Sequence, residues 1–525
     1  MRNSPQTSQD IMQMLKEWRS QQVDMQPIDQ DAALKKLSKA KMPEEEIKDK
    51  LAQLTLNGED AHPRVLASYP DLHALDRIDQ SRNVKLDHPS ARAIRAVLQA
   101  AEIGLLNSSD LSKRAVADID AGNIGDAEEK NRWISSFQQT LHSLALLAAK
   151  IPSYGEGATV SIAHSPHAGL CLDDLEAFHK AMQSAGLTSE EHISTLNLHN
   201  PGRSITHHAS IDSNYTRLWQ DMLQQANLPG VSREADENEY EFYERVVGTK
   251  ALNLAVNELD QKGDNFLRQF RAYHQMSEIL VQQANELIAD AIPQILDKEY
   301  GNLRQANENM KVALSMLDVV NQNVVPILRN LSVNKYQDIR GSLGITSGSH
   351  SPHLRGGLFG PIYTMFIAAV KHRVAGDGFT NKETLEAALE KVMDNPLNQD
   401  QETYDQYQLL QQAHKLHLAV RNWRELHGQF ILTQIPTTPD QEQTTGSISG
   451  SKSALRAAHG MKYYAHSERD VALPLYESLL GKDYNAVSKT AFAPDEGSFL
   501  EELFENTAKV VAERSAPVQN RIHRR

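Results

Sequence analysis

The sequence predicts a mainly α-helical protein, and three observations carry that reading. Glycine and proline number 27 and 20 in 525 residues, about 9% together against an average near 12%. Apolar residues recur at spacings of three and four along most of the chain, the period of a half-buried helix. Gly- and His-containing stretches that would suit turns and short strands are confined to a few places. At roughly 100–200 residues per domain, the length allows two or three domains with ample core.

Taken in order, the first 60 residues are rich in Lys, Glu, Asp and Gln around pieces such as Ile11-Met12 and Leu15, and predict solvent-facing helices. Two longer helical patterns cover residues 91–106 and 127–149. Residues 151–200 contain Gly155, Gly157, Gly169 and several histidines, which predicts turns and short strands. Asn200-Pro201-Gly202 and Leu228-Pro229-Gly230 punctuate the chain, so we divide it into an N-terminal region, 1–235, mostly helical, and a second domain, 236–525. Helices are expected over 266–296, ended or kinked at Pro293, over 302–332 with an interruption near Pro326, and over 382–393 and 401–434. Two stretches break the pattern: 338–360, dense in Gly, Ser and His, and 436–453, polar and hydroxyl-rich. Long polar segments inside a helical domain are uncommon unless they serve a function.

Composition excludes several classes. A net charge of −14 argues against a general nucleic-acid or anionic-membrane binder. The single Cys171 rules out an internal disulfide framework and multi-thiolate metal sites, leaving 21 histidines and the carboxylates as metal ligands. The most apolar stretch, 141–151, is too short to span a bilayer, and residues 1–20 lack an apolar targeting core, so a cytoplasmic location is expected.

Individual side chains then stand out. Leu409, Ala413, Leu416, Val420, Trp423, His427 and Phe430 share one helix face, which puts His427 in an apolar stripe. There it is either a core histidine bonded to a carbonyl or an axial iron ligand. His414 and His417 lie on the same helix without a carboxylate cluster. Phe270 and His274 stack one turn apart with Phe266 before them, as plain core or as an aromatic pocket with one basic group. Arg340 opens a Gly/Ser run fit for a carboxylate or phosphate, or an ordinary surface turn. His164-Ser165-Pro166-His167 recurs as His350-Ser351-Pro352-His353, a four-residue echo that we treat as chance.

Together these residues resemble a family. Trp423-Arg424-Glu425-Leu426-His427 is similar to the Trp-Arg-x-x-His element of tryptophan 2,3-dioxygenases, within the wider histidine-ligated haem superfamily that includes indoleamine 2,3-dioxygenase. Thr445-Gly446-Ser447-Ile448-Ser449-Gly450 looks like that family's substrate-covering loop, although the glycine before Thr445 is absent. Arg340, Ser347-Gly348 and Ser351 match its distal segment, with Ile339 where the family has an aromatic. His274-Gln275 with Glu278 resembles the distal helix, Phe270 holds its aromatic position, and Tyr240 and Tyr243 fall at a paired Tyr-x-x-Tyr. The resemblance spans roughly residues 240–458.

It implies a helical domain binding haem b through His427, using O2 to open the indole C2–C3 bond of L-tryptophan to N-formylkynurenine, the entry to tryptophan catabolism by the kynurenine pathway. Arg340 would clamp the carboxylate, Thr445 and Gly446 would hold the amino-acid end, and Ser347 and Gly348 would line the distal face. His274 would accept the indole N–H, and Phe270, Tyr240 and Tyr243 would flank the ring. Relatives of this kind are often homo-oligomers. The alternatives are a haem enzyme oxidising another aromatic amino acid, as a hydroxylase or a ring-rearranging enzyme, and a non-catalytic helical binding protein.

Overall fold

A computed structural model describes residues 5, 7–23, 86–153, 155–187, 218–250, 252, 265–297, 302–330, 354–358, 360–394 and 400–434. Among them the chain is mainly helical, as the sequence predicts. Its long helices are α1 (Ser8–Val23), α2 (Pro89–Asp120), α3 (Ile124–Lys150) and α4 (Ala168–Ser184), then α5 (Glu239–Val247), α6 (Asn265–Leu296) and α7 (Leu303–Val319). A π-helical turn, Val320–Val324, follows α7 directly, and a second, Leu354–Leu358, precedes α8 (Pro361–Ala375). The series ends with α9 (Lys382–Met393) and α10 (Gln401–Gln434).

The short strands β1 (Gly157–Ser161) and β2 (Gln225–Pro229) pair antiparallel, with Gly157 opposite Pro229 and Ser161 opposite Gln225. Glycine is required at 157 by close approach. A Cβ there would lie 1.8 Å from the backbone oxygen of Leu228.

Helix α2 sits at the centre. It packs on α3, α4 and α6, and nearly every residue from Ser90 to Leu105 is buried. Gly104 allows the tightest approach, since a Cβ there would stand 3.0 Å from Leu141 of α3 and 3.6 Å from Met276 of α6. Helices α2 and α6 run antiparallel, as their ion pairs show: Arg268 meets Asp110 at 3.2 Å, while Arg92 meets Glu286 at 3.5 Å and also Asp290. One apolar core runs through both sides of position 235, joining Trp133, Phe137 and Phe178 to Phe242, Met276 and Phe366.

The expectation of a solvent-facing start is corrected for α1. Ile11, Leu15 and Trp18, at i, i+4 and i+7, are buried where α1 lies against α6 and α8. The polar residues that dominate this segment occupy the other face, and Arg19 adds a 2.8 Å ion pair to Asp290.

Helices α7 and α10 are parallel neighbours in a fixed register. Asn307 donates its side-chain amide to the carbonyl of Asp405 at 3.0 Å, and Asn321 donates to that of Ala419 at 2.8 Å. Each pair is 98 residues apart in sequence, so both helices advance by the same 14 residues between the two bonds. Helix α8 crosses beside them in the opposite sense to α10: Arg373 near its end bonds Glu402 at 2.9 Å, and Tyr363 near its start meets His417.

Candidate functional site

Helix α6 carries the best-defined part of the expected site. The side chain of His274 lies between Phe270 and Tyr273 and is nearly fully buried. Its Nδ1 donates to the carbonyl of Phe270, one turn back, at 2.8 Å. A carbonyl only accepts, so Nδ1 carries a hydrogen, and in the neutral form of the ring the lone pair is on Nε2. The rings around it hold this orientation. Phe270 lies 4.3 Å away, tilted by 45°, and Tyr273 stands edge-on at 4.6 Å. One further turn along α6, Glu278 is also buried. Desolvation pushes its carboxyl up to about 8, so at neutral pH it is mostly an O–H donor and not an anion. Burial pushes the Tyr273 phenol well up in the same way, so it too stays neutral.

Helix α10 has the apolar stripe expected of it. Leu409, Ala413, Leu416, Val420 and Trp423 are all buried. The backbone continues as helix through position 427, one turn past Trp423, while the side chain of His427 lies outside the described residues. His417 Nδ1 is 2.9 Å from the hydroxyl of Tyr363. Burial holds the His414 imidazole below its ordinary value.

The first π-turn links these two helices. Residues 297–302 join α6 to α7, which return antiparallel. Equal rises of about 1.5 Å per residue set the π-turn opposite about residues 275–279 of α6, just beyond His274. The turn packs on α6 and also on α10, where Asn321 bonds Ala419. Position 427 follows eight residues after Ala419, about 12 Å along the axis. His274 and position 427 therefore belong to the same end of this helical layer. Such π-turns are frequent at functional sites, since the extra residue re-aims neighbouring side chains.

Arg340, Ser347, Gly348, Thr445 and Gly446 lie outside the described residues. The segment holding the first three begins after Asn330, whose amide donates to Arg132 and to Ser136 of α3. It ends before the second π-turn, where Gly357 stands against Asn285 of α6.

The two tyrosines do not join Phe270 and His274. They are three apart on α5, yet Tyr243 is fully buried and Tyr240 is 59% exposed. Tyr243 lies beside Glu102 of α2, whose charge, after burial, raises the phenol well above its ordinary value. Glu102 and Gly104 are about 200° apart around α2, and it is Gly104 that faces α6. The Tyr243 side chain thus occupies the far side of α2 from His274. Tyr240 instead places its ring 6.2 Å from His164.

Around Glu102 is a cluster that motif reading passed over. His167 Nδ1 meets Glu102 Oε2 at 2.8 Å, and Glu102 is fully buried. The legible signals were the His164-Ser165-Pro166-His167 turn and one acidic residue inside the apolar run 96–106.

Searches of family models, curated proteins and solved structures returned no match for this chain.

Proposed function

We propose that this chain is a haem-dependent dioxygenase acting on L-tryptophan or a close indole derivative. The observation that carries the reading is His274: a buried imidazole whose orientation is fixed through Nδ1, one turn from an aromatic ring, at the same end of the helical layer as position 427. That geometry suits accepting an indole N–H and orienting a flat ring by apolar contact. The imidazole of His427 would hold a b-type haem. When bound, the haem would supply the activation of O2 for cleavage of the C2–C3 bond. The chain's own residues would bind and orient. Arg340 would pair the substrate carboxylate, Ser347 and Gly348 would line the distal face, and Thr445 with Gly446 would hold the amino-acid end. Phe270 would support the ring. Glu278, neutral at physiological pH, offers a buried hydrogen-bond donor one turn from His274 and leaves that region without a fixed negative charge.

A second reading keeps the haem and changes the substrate to another aromatic amino acid. The separation of Tyr240 and Tyr243 from Phe270 favours it, because the ring pocket then lacks two of its expected walls.

The absorption spectrum of the purified protein tests the proposal. A Soret band should be present, should shift on adding L-tryptophan, and should be lost in His427→Ala. Stoichiometric haem retained in that variant would refute the ligand assignment. A shift with tyrosine but not tryptophan would select the second reading. Arg340→Ala should weaken substrate binding strongly, since breaking one partner of a desolvated charge pair costs about 2–5 kcal/mol. An unchanged KM would remove Arg340 from that role.

A further inference from the structure

The cluster on the far side of α2 has its own chemistry. The turn His164-Ser165-Pro166-His167 leads into α4, and Ser165 Oγ accepts the backbone N–H of His167 at 2.9 Å. His167 directs Nδ1 at the fully buried Glu102 and keeps part of its ring exposed. A buried carboxylate behind Nδ1 is how proteins fix the tautomer of a basic imidazole, leaving Nε2 to act. Behind it, Glu102 also faces the Tyr243 phenol. Glu102 Oε1 and Tyr243 Oη, on fully buried side chains, lie without a hydrogen bond of normal geometry. At the surface, the exposed Tyr240 ring stands edge-on to His164, and His164 Nε2 is 3.3 Å from Glu239. Among the described residues no three His, Cys, Asp or Glu side chains are grouped to hold a metal ion. Cys171 nearby is fully buried and its thiol is pushed far up, chiefly by desolvation, so it is no nucleophile.

We propose that His167, oriented by Glu102, is the nucleophile of a second site that takes small aryl esters. Nε2 attacks the ester carbonyl carbon. An N–C bond forms, the C–O bond to the aryl oxygen breaks, and the phenolate leaves with the electron pair. Water then adds to the acyl-imidazole, the C–N bond breaks, and the carboxylate departs with its protons passing to solvent and the imidazole restored. No redox partner is needed. Glu102 is a positioning residue, keeping the hydrogen on Nδ1 and offsetting the positive charge that grows on the ring during attack. Tyr240 offers an exposed flat surface against which the aryl group can lie.

The test uses the full chain and p-nitrophenyl acetate, following release of p-nitrophenolate over time so that any constant absorbance cancels. His167→Gln should lower the protein-dependent rate at least tenfold, whereas His142→Gln, a pair to Asp221 elsewhere in the same half, should leave it unchanged. Mass spectrometry of acid-quenched protein should find the acetyl group on His167. Glu102→Leu should lower kcat with little change in KM, and 15N-histidine NMR should show its proton leaving Nδ1, a signature that mere loosening of the fold would not give. Tyr240→Ala should raise KM and spare kcat. A His167→Gln rate equal to that of the parent, or acetyl label spread over other histidines, overturns the proposal. The readouts need no haem, so their failure is distinguishable from failure of the dioxygenase reading.

Discussion

Glu278→Gln should make the protein more stable, and increasingly so as pH rises. The folded state holds the Glu278 carboxyl at about 8 instead of the usual 4.5. Between those values the fold keeps a proton that the unfolded chain releases, so stability falls as pH rises through that window and levels off above it. Each unit is worth about 1.4 kcal/mol. At pH 7 the fold therefore carries a penalty of about 3 kcal/mol, growing to about 5 kcal/mol above pH 8. Glutamine has the same shape and no charge to lose. Urea unfolding followed by helical circular dichroism at pH 5, 6.5 and 8 measures the difference between variant and parent, which cancels every other titrating group. The difference should be a little under about 1 kcal/mol at pH 5 and should climb by about 1.4 kcal/mol per unit towards pH 8. A difference that stays flat within about 1 kcal/mol across that range refutes the desolvation argument. The window also bears on function, because a carboxyl that ionises above about 8 would place a negative charge one turn from His274.

Other perturbations are equally direct. Asn321→Leu removes the donor to the buried carbonyl of Ala419 and should cost about 1–3 kcal/mol, read as a lowered thermal midpoint; an unchanged midpoint would show that the bond is not formed in solution. Gly157→Ala drives a Cβ into the backbone of β2 and should destabilise by about 1–3 kcal/mol or more, with faster amide exchange along β1. Gly169→Ala, on α4 with nothing within 4 Å of the new methyl, should be neutral or stabilise by up to about 1 kcal/mol. Equal effects from the two glycine changes would contradict the packing described.

Where local physics decides, the sequence was enough. The ends of α9 and α10 fall at residues 382, 393, 401 and 434, where periodicity places them. The pattern at 91–106 continues as helix to Asp120, with polar residues such as Asn107 and Ser112 bonding back to carbonyls one turn earlier, whereas that at 127–149 spans nearly all of α3. The break near Pro326 is real, yet it begins at Val320 as a π-turn. Proline clashes with the carbonyl four residues before it, and the helix widens upstream to relieve that contact. At Pro293 the helix runs on to Leu296, and the Ala289 carbonyl that proline leaves without its helical donor accepts from Arg19.

Tertiary partners were another matter. His274 announced itself by spacing, but its tautomer depends on a bond to the Phe270 carbonyl that spacing does not specify. Tyr240 and Tyr243 read as a pair, and packing of α5 sent one inward and left the other outside. His167 and Glu102 are 65 residues apart, and no local pattern brings them together. The chemistry expected of Arg340, Ser347, Gly348, Thr445 and Gly446 lies outside the described residues and rests on sequence alone.

The matched bonds of Asn307 and Asn321 give the α7–α10 pair the character of a toothed rack. Because both engage after the same 14-residue step, α10 cannot slide or roll against α7 without releasing both at once. The level of position 427 on α10 and that of Asp405, about 33 Å apart along the axis, thus belong to one register. Arg373 of α8 grips Glu402 at that far end. The two asparagine bonds and the Arg373 pair thus pin α10 at three levels along its length, so that its two ends keep a common axial position.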